Sequence, residues 1–355
     1  MDGVGITQDA ILVGEDFTYR FELSNTQAGT FWGLVPSNRS RCASELSHIH
    51  EFRARGHFSD AGEYWNRAMA GLNMSVPRGQ MEVIKIDGGS AIAPVTALEI
   101  GILYRGERVD VVTSPTDAGS MLITLDAELV TMQNSALTQS RTFQRISPLD
   151  IRPSHKNPEE QIPGTTFDLS TARSLQQQTL PPTASQTLLI YTHIKMLAHY
   201  DHVSMGYMNR TNRIPQPPAL ISLPKEEWDE HQLMPEIVGN GGWVDIIVNN
   251  LDKDAGHPFH LVQALFYPSQ PWTRLSPPHQ PRLPSSSWLP NIQSVRPPSE
   301  AALMYPEPNL VDPPLKDTVH ISRRGYVILR IRADNPGLWF FHCHILWHAG
   351  TGMAM

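Results

Sequence analysis

The sequence predicts an all-β protein of Greek-key β-sandwiches, one partial and one near-complete. Three observations carry that prediction. Short stretches alternate apolar and polar residues at the period of a half-buried strand, as in Phe17, Tyr19, Phe21 and Leu23. Thirty prolines and 24 glycines break the 355 residues into short runs, and long helical patterns are few. Residues of metal-ligand type stand at the ends of two strands far apart in the chain, and a Greek-key sandwich brings such ends together.

Taken in order, Gly14–Leu23 reads as a strand that leads through Ala28-Gly29-Thr30-Phe31-Trp32 into Gly33-Leu34-Val35-Pro36. Residues 33–75 read as irregular: arginines at 39, 41, 53 and 55, a lone Cys42, and His48-Ile49-His50, which is read as chance histidines in a solvated loop. Alternation returns in Met81–Ile86, which ends at the turn signal Asp87-Gly88-Gly89. Gly101–Val112 and Met121–Leu125 continue it, so residues 76–135 form a partial sandwich whose residues serve as core and turns. Prolines at 148, 153, 158, 163, 181 and 182 among Ser, Thr and Gln mark 136–187 as a linker.

The last domain is expected at 188–355. Trp243–Asn250 is an apolar strand running into Gly256-His257-Pro258-Phe259-His260-Leu261. A proline-rich loop over 268–300 separates it from the strand Val327–Arg332. Then comes the densest chemistry of the chain: Phe341-His342-Cys343-His344-Ile345-Leu346-Trp347-His348, followed by Met353. A thiolate and two imidazoles with a weak axial thioether are the ligand set of an electron-transfer copper site. Cys343, His348 and Met353 supply three of the four, and the segment 256–261 is the candidate source of the missing imidazole. Neighbours on a strand point to opposite faces, so His342 and His344 should aim away from an ion on Cys343. A structural zinc site or a chance cluster is the other use of such a set.

The H-P-F-H-L run at 257–261 and the H-C-H-x3-H run at 342–348 resemble the last two copper signatures of the multicopper oxidases, especially the laccase-like enzymes of fungi. That resemblance implies cupredoxin-like sandwiches, a type 1 copper on His257, Cys343 and His348 with Met353 axial, His260 on a type 2 copper, and His342 and His344 on a type 3 pair. It implies a small-molecule reductant (a phenol, ascorbate or ferrous iron) and dioxygen as partners, one-electron oxidation at type 1 copper, and reduction of dioxygen to water at a trinuclear cluster. The pieces I-D-G-G, G-I-L-Y and G-E-R-V-D-V resemble the family's middle domain. Residues 1–32 resemble a remnant of its first, in which Trp32 would be followed by a histidine pair that is absent here. Most of that first domain is therefore expected to be missing.

The family run H-P-x-H-L-H-G-H is also broken, because Val262 and Ala264 occupy its sixth and eighth positions. Valine offers no lone pair, so the dioxygen step is expected to be impaired. A single-copper electron-transfer or copper-binding protein, or a non-functional truncated product, are the alternatives. Elsewhere, His193, His199 and His202 match no ligand spacing and read as surface histidines, and Asp245 reads as structural.

Composition limits the partners. A net charge of -7 spread along the chain gives no support to nucleic-acid binding. No apolar run approaches the roughly 20 residues of a membrane span. With Cys343 on copper, Cys42 has no partner for a disulfide. The start lacks the pattern of a signal peptide, while sequons at Asn38, Asn73 and Asn209 suit a secreted protein. An incomplete N-terminus would reconcile the two and favour an extracellular location.

Overall fold

The structure is a computed structural model that describes residues 18, 61–65, 71–75, 81–87, 91–113, 120–125, 140–147, 150–154, 166–238, 241–261, 267–269 and 310–355. The strand expected at 14–23, Cys42, the His48–His50 pair, Val262, Ala264 and the proline-rich loop from 270 lie outside these residues.

The first unit runs β1 (Ala61–Trp65), β2 (Leu72–Ser75), β3 (Met81–Ile86), β4 (Ala91–Ala97), β5 (Glu99–Leu103), β6 (Arg108–Thr113), β7 (Ser120–Leu125), β8 (Ser140–Ser147), β9 (Asp150–Ser154) and β10 (Thr166–Phe167). These make two sheets, ordered β1-β6-β3-β4 and β10-β5-β2-β7-β8-β9. In β3 the alternation places Met81 and Val83 in the core, and a register shift between Val83 and Lys85 returns Ile86 to it. A bulge of this kind adds one residue and re-aims the side chains beyond it.

Two stretches are more ordered than their composition suggests. Residues 33–75, expected to be irregular, contain β1 and β2. The expected linker, 136–187, contributes β8 and β9 to the six-stranded sheet, while β10 pairs with β5 and Phe167, Leu169 and Ala172 enter the core. Threonine and alternating polar residues suit an outer strand as well as a loop. Proline is tolerated on an edge, which is where β9 carries Pro153.

The second unit runs β11 (Gln186–Met196), β12 (Ser204–Met208), β13 (Trp243–Asn250), β14 (His257–Leu261), β15 (Tyr267–Ser269), β16 (Thr318–Ile321), β17 (Tyr326–Arg332), β18 (Phe341–Cys343) and the short helix α1 (Leu346–Gly350). A five-stranded sheet, β12-β11-β13-β17-β15, packs against a three-stranded one, β16-β14-β18. On the inner face of β13, Val244, Ile246 and Val248 stand opposite Ile331, Leu329 and Val327 of β17, and all six are buried. From the smaller sheet, Phe259 and Phe341 stack at 4.9 Å between centroids within the same core. Burying a side chain of this size contributes about 1.5–3 kcal/mol. Cys343 and Met353 belong to that core, so the candidate ligands are set in its apolar packing.

No helix among the described residues is long and apolar enough to cross a membrane.

Candidate metal centre

The register of the small sheet sorts the chemistry onto two faces. Phe259 stands opposite Cys343, and His260 stands opposite His342. Residues two apart on a strand share a face, so His257, Phe259 and Cys343 face the core and His260 and His342 face the other way. After Cys343 the strand stops, and α1 folds His348 back over it. The chain then returns beside β18: the Cys343 amide donates to the Met353 carbonyl at 3.0 Å, and the Met355 amide to Phe341 at 2.9 Å.

On the core face three donors converge. His257 Nδ1 lies 3.1 Å from His348 Nδ1 and 3.9 Å from Cys343 Sγ, and His348 Nδ1 lies 3.6 Å from the same sulfur. Imidazole and thiolate donors bind one ion at about 2.0–2.3 Å, which places them at separations of this order. Among the described residues this is the one group of three His, Cys, Asp or Glu donors drawn within 4.8 Å of one another. Met353 is fully buried beside it, against Gly206 of β12, where a Cβ would meet the Met353 Cβ at 2.6 Å.

The tautomer of His257 is set from behind. Its Nε2 lies 2.8 Å from Asp252 Oδ2 and donates to that carboxylate, which leaves the Nδ1 lone pair facing Cys343 and His348. Asp252 is itself fixed, taking hydrogen bonds from the Ile194 amide and donating its own amide to Asn250. Burial pushes the Cys343 thiol up to about 12, and burial with the His257 ring beside it pushes His348 down to about 3. Near neutrality the pocket therefore holds a neutral imidazole and a protonated thiol, whose proton a cation must displace.

On the other face, the rings of His260, His342 and His344 gather with centroids 5.7, 5.7 and 6.0 Å apart. His260 Nδ1 is 2.9 Å from the Asp317 carbonyl and 3.1 Å from Thr318 Oγ1. His342 Nδ1 is 3.0 Å from the Cys343 carbonyl. Burial, with His260 and His342 adding to it, holds His344 well below the usual imidazole range. Their donor atoms do not converge as the first three do.

The sequence does not reveal what braces this second group. Gly106, at φ +89°, brings the backbone of the first unit onto His344, where a Cβ would meet the ring at 2.7 Å. Arg108 donates to both Asp317 carboxylate oxygens at 2.7 Å. Lys316, fully buried, lies 3.1 Å from Glu107 and 3.5 Å from Asp87. Tyr104 stacks on His320 at 3.5 Å. The segment Arg105-Gly106-Glu107-Arg108, expected to serve only core and turns, is thus the joint between the two units. Opposite charges flanking buried strand positions, in 107–108 and 316–317, are the available signal.

Of the remaining readings, His199 and His202 are exposed, whereas His193 is half-buried with Nε2 3.5 Å from Asp252. Asp245 accepts a bidentate pair of bonds from Arg330 across β13 and β17, at 2.7 and 2.8 Å.

Known proteins share this arrangement in part. A multicopper oxidase family model matches residues 292–355. The iron transport multicopper oxidase FET5 of Saccharomyces cerevisiae is 27% identical over 296 residues, 78% of this chain and 44% of its own length. The iron transport multicopper oxidase FET3 of Candida albicans is 29% identical over 198 residues, 52% of this chain and 27% of its own. The chain thus spans less than half the length of either relative. Among solved structures, Fet3p, described as a multicopper oxidase that functions in iron import, superposes with a TM-score of 0.62 at 18% identity, covering 82% of this chain and 54% of that one. A laccase from Botrytis aclada gives 0.57 at 19% identity, over 83% and 50%. The sheets are accordingly cupredoxin-like, and the family model falls on the strand and helix that carry Cys343 and His348, so that the chain is similar to the multicopper oxidases, whose cofactor is copper.

Proposed function

We propose that the chain is a copper oxidoreductase that takes single electrons from a phenol-type or metal-ion reductant through one site, where His257, Cys343, His348 and Met353 would hold the copper. The observation that carries this reading is the convergence of two imidazole nitrogens and one sulfur at separations of 3.1–3.9 Å in an apolar core. Copper bound there supplies a one-electron acceptor. The protein residues do the rest: Asp252 holds His257 in the tautomer that exposes Nδ1, and the Phe259–Phe341 stack helps exclude water. His342 and His344 are each one peptide from Cys343, which offers a short covalent route to the opposite face. The relatives include iron transport oxidases and a laccase, which is why both reductant classes are kept.

We propose further that the dioxygen step is impaired. Val262 stands where the family run calls for histidine, and its side chain has no lone pair to offer a metal. A one-copper electron-transfer protein is the alternative reading.

The deciding experiment loads the purified chain with Cu(II), then counts copper and records the visible and paramagnetic resonance spectra. An intense thiolate-to-copper band with about one copper per chain, lost in Cys343→Ser, is the expected result. A colourless complex with Cys343 still reactive would sink the ligand assignment. About four coppers per chain, with rapid oxygen uptake, would overturn the impairment.

A further inference from the structure

The Thr351–Met353 segment, which follows the single turn of α1, must be held still if its thioether is to keep a fixed distance from the other ligands. Its amides bond back to that helix, Thr351 to the Trp347 carbonyl at 3.0 Å, Gly352 to Ala349 at 3.2 Å and Met353 to His348 at 2.8 Å, which leaves its carbonyls to be held from elsewhere. The Met353 carbonyl is held by the Cys343 amide of β18, and the carbonyls of Thr351 and Gly352 by β12 and the turn after that strand. The Gly206 amide donates to the Thr351 carbonyl at 3.0 Å, and the Arg213 amide to the Gly352 carbonyl at 3.1 Å. Between these two bonds sits the Asn212 side chain. Its Nδ2 donates to the Thr351 carbonyl at 2.5 Å and to the Gly206 carbonyl at 3.0 Å, tying strand and loop together.

The amide orientation is fixed by chemistry, because only the nitrogen can face two carbonyls. Its Oδ1 is buried and takes no hydrogen bond from the described residues, so Nδ2 supplies the side chain's hydrogen bonds. Gly352 is shaped around this contact. At φ +112° it adopts a conformation that favours glycine, and a Cβ there would collide with Asn212 Nδ2. Arg213 completes the strap by laying its guanidinium 4.9 Å from the centre of Phe340, whose ring stacks on His342.

We propose that Asn212 is a positioning residue that fixes Met353 against the candidate copper ligands and thereby sets the electronic character of the site. The proposal rests on the ligand reading made under Proposed function. Where a thiolate and two imidazoles are fixed, the axial contact is what tunes a site of this class. Asn212 acts on that contact through the backbone of Thr351 and Gly352. Loss of its two bonds lets the thioether withdraw, which weakens the axial donor and raises the reduction potential.

The test has two arms. In the metal-free full chain, amide exchange at Gly352 and Met353 should run about tenfold faster in Asn212→Ala, the consequence of losing two hydrogen bonds. In the Cu(II)-loaded chain, Asn212→Ala should keep its copper and its thiolate band. The band energy and copper hyperfine splitting should shift, and the potential should rise. Gly352→Ala strikes the same contact from the opposite side and should move both readouts in the same direction. If Asn212→Ala does not fold, Asn212→Ser, which keeps one hydroxyl donor, is compared in its place and should show a smaller change of the same sign. Exchange, band, hyperfine splitting and potential all equal to those of the parent would overturn the proposal. A parent chain without any thiolate band would instead remove the ligand reading, and the exchange arm would still decide whether Asn212 grips the loop.

Discussion

Replacing Arg108 by methionine should be among the most damaging single changes outside the candidate ligands. The side chains of Arg108 and Asp317 are 1% and 8% exposed, so solvent screens the pair little. The change removes two bonds of 2.7 Å to Asp317 and one of 3.0 Å to the Gly106 carbonyl, and leaves the Asp317 carboxylate buried beside Thr318 and His260 with the Lys316 charge nearby. Charge-assisted bonds contribute about 1.5–3 kcal/mol each, and breaking a buried pair from one side costs about 3–5 kcal/mol; the two estimates agree. For a protein of this size that is a drop in melting temperature of about 4–7 °C. Burial alone would raise the Asp317 carboxyl, but Arg108 and then His260 outweigh it and hold it well below the ordinary carboxylate range. Its stabilising contribution is therefore complete above its unfolded value of about 3.9 and is lost as pH falls below that toward the folded value. Urea unfolding of the parent, Arg108→Met, Asp317→Leu and the double variant forms the assay. The single variants should show a constant deficit from pH 5 to 8 that shrinks below about pH 4, and the double variant should recover at least about 2 kcal/mol. A cost for Arg108→Met under about 1 kcal/mol, the scale of an exposed pair, would refute the reasoning.

Two further outcomes concern the candidate site and its core. Because burial keeps the Cys343 thiol protonated up to about 12 while His348 is neutral above about 3, copper binding should release one proton, and affinity should rise about tenfold per pH unit between 6 and 8; calorimetry in buffers of different ionisation enthalpy gives the proton count, and a count of zero would contradict the protonation states. Phe259→Ala should cost about 3–5 kcal/mol in chemical denaturation, since the fully buried ring stacks on Phe341 beside Cys343.

How much the sequence discloses depends on distance along the chain. Cys343, His348 and Met353 are neighbours, and the alternation of β18 is enough to assign His342 and Cys343 to opposite faces. The place of His257 comes from the run His257-Pro258-Phe259-His260 and its resemblance to a family signature, and the structure brings its Nδ1 to the other two donors. Asp252 gives no such signal, because a carboxylate five residues before a ligand has no pattern of its own. Arg108 and Asp317 are 209 residues apart, and no local periodicity encodes so remote a pairing. The strands β8 and β9 are hidden for a different reason. Ser, Thr, Arg and Pro describe the outer strands of a sheet as well as they describe a connection, and only pairing with β7 tells the two apart. Asn212 is silent because its role lies in two backbone carbonyls, which carry no signature in a sequence.

The three residues of β18 couple strand register to redox chemistry. With one side chain per face alternating along Phe341-His342-Cys343, a slip of one position against β14 would turn the sulfur out of the core and drive an imidazole into it. A slip of one position allows no partly correct pairing: either Phe259 faces Cys343 and the donors meet, or the core receives a polar ring and the thiol leaves it. An ion added during refolding would therefore favour only chains paired in the right frame, so that metal uptake would act as a proofreading step on the assembly of the sheet.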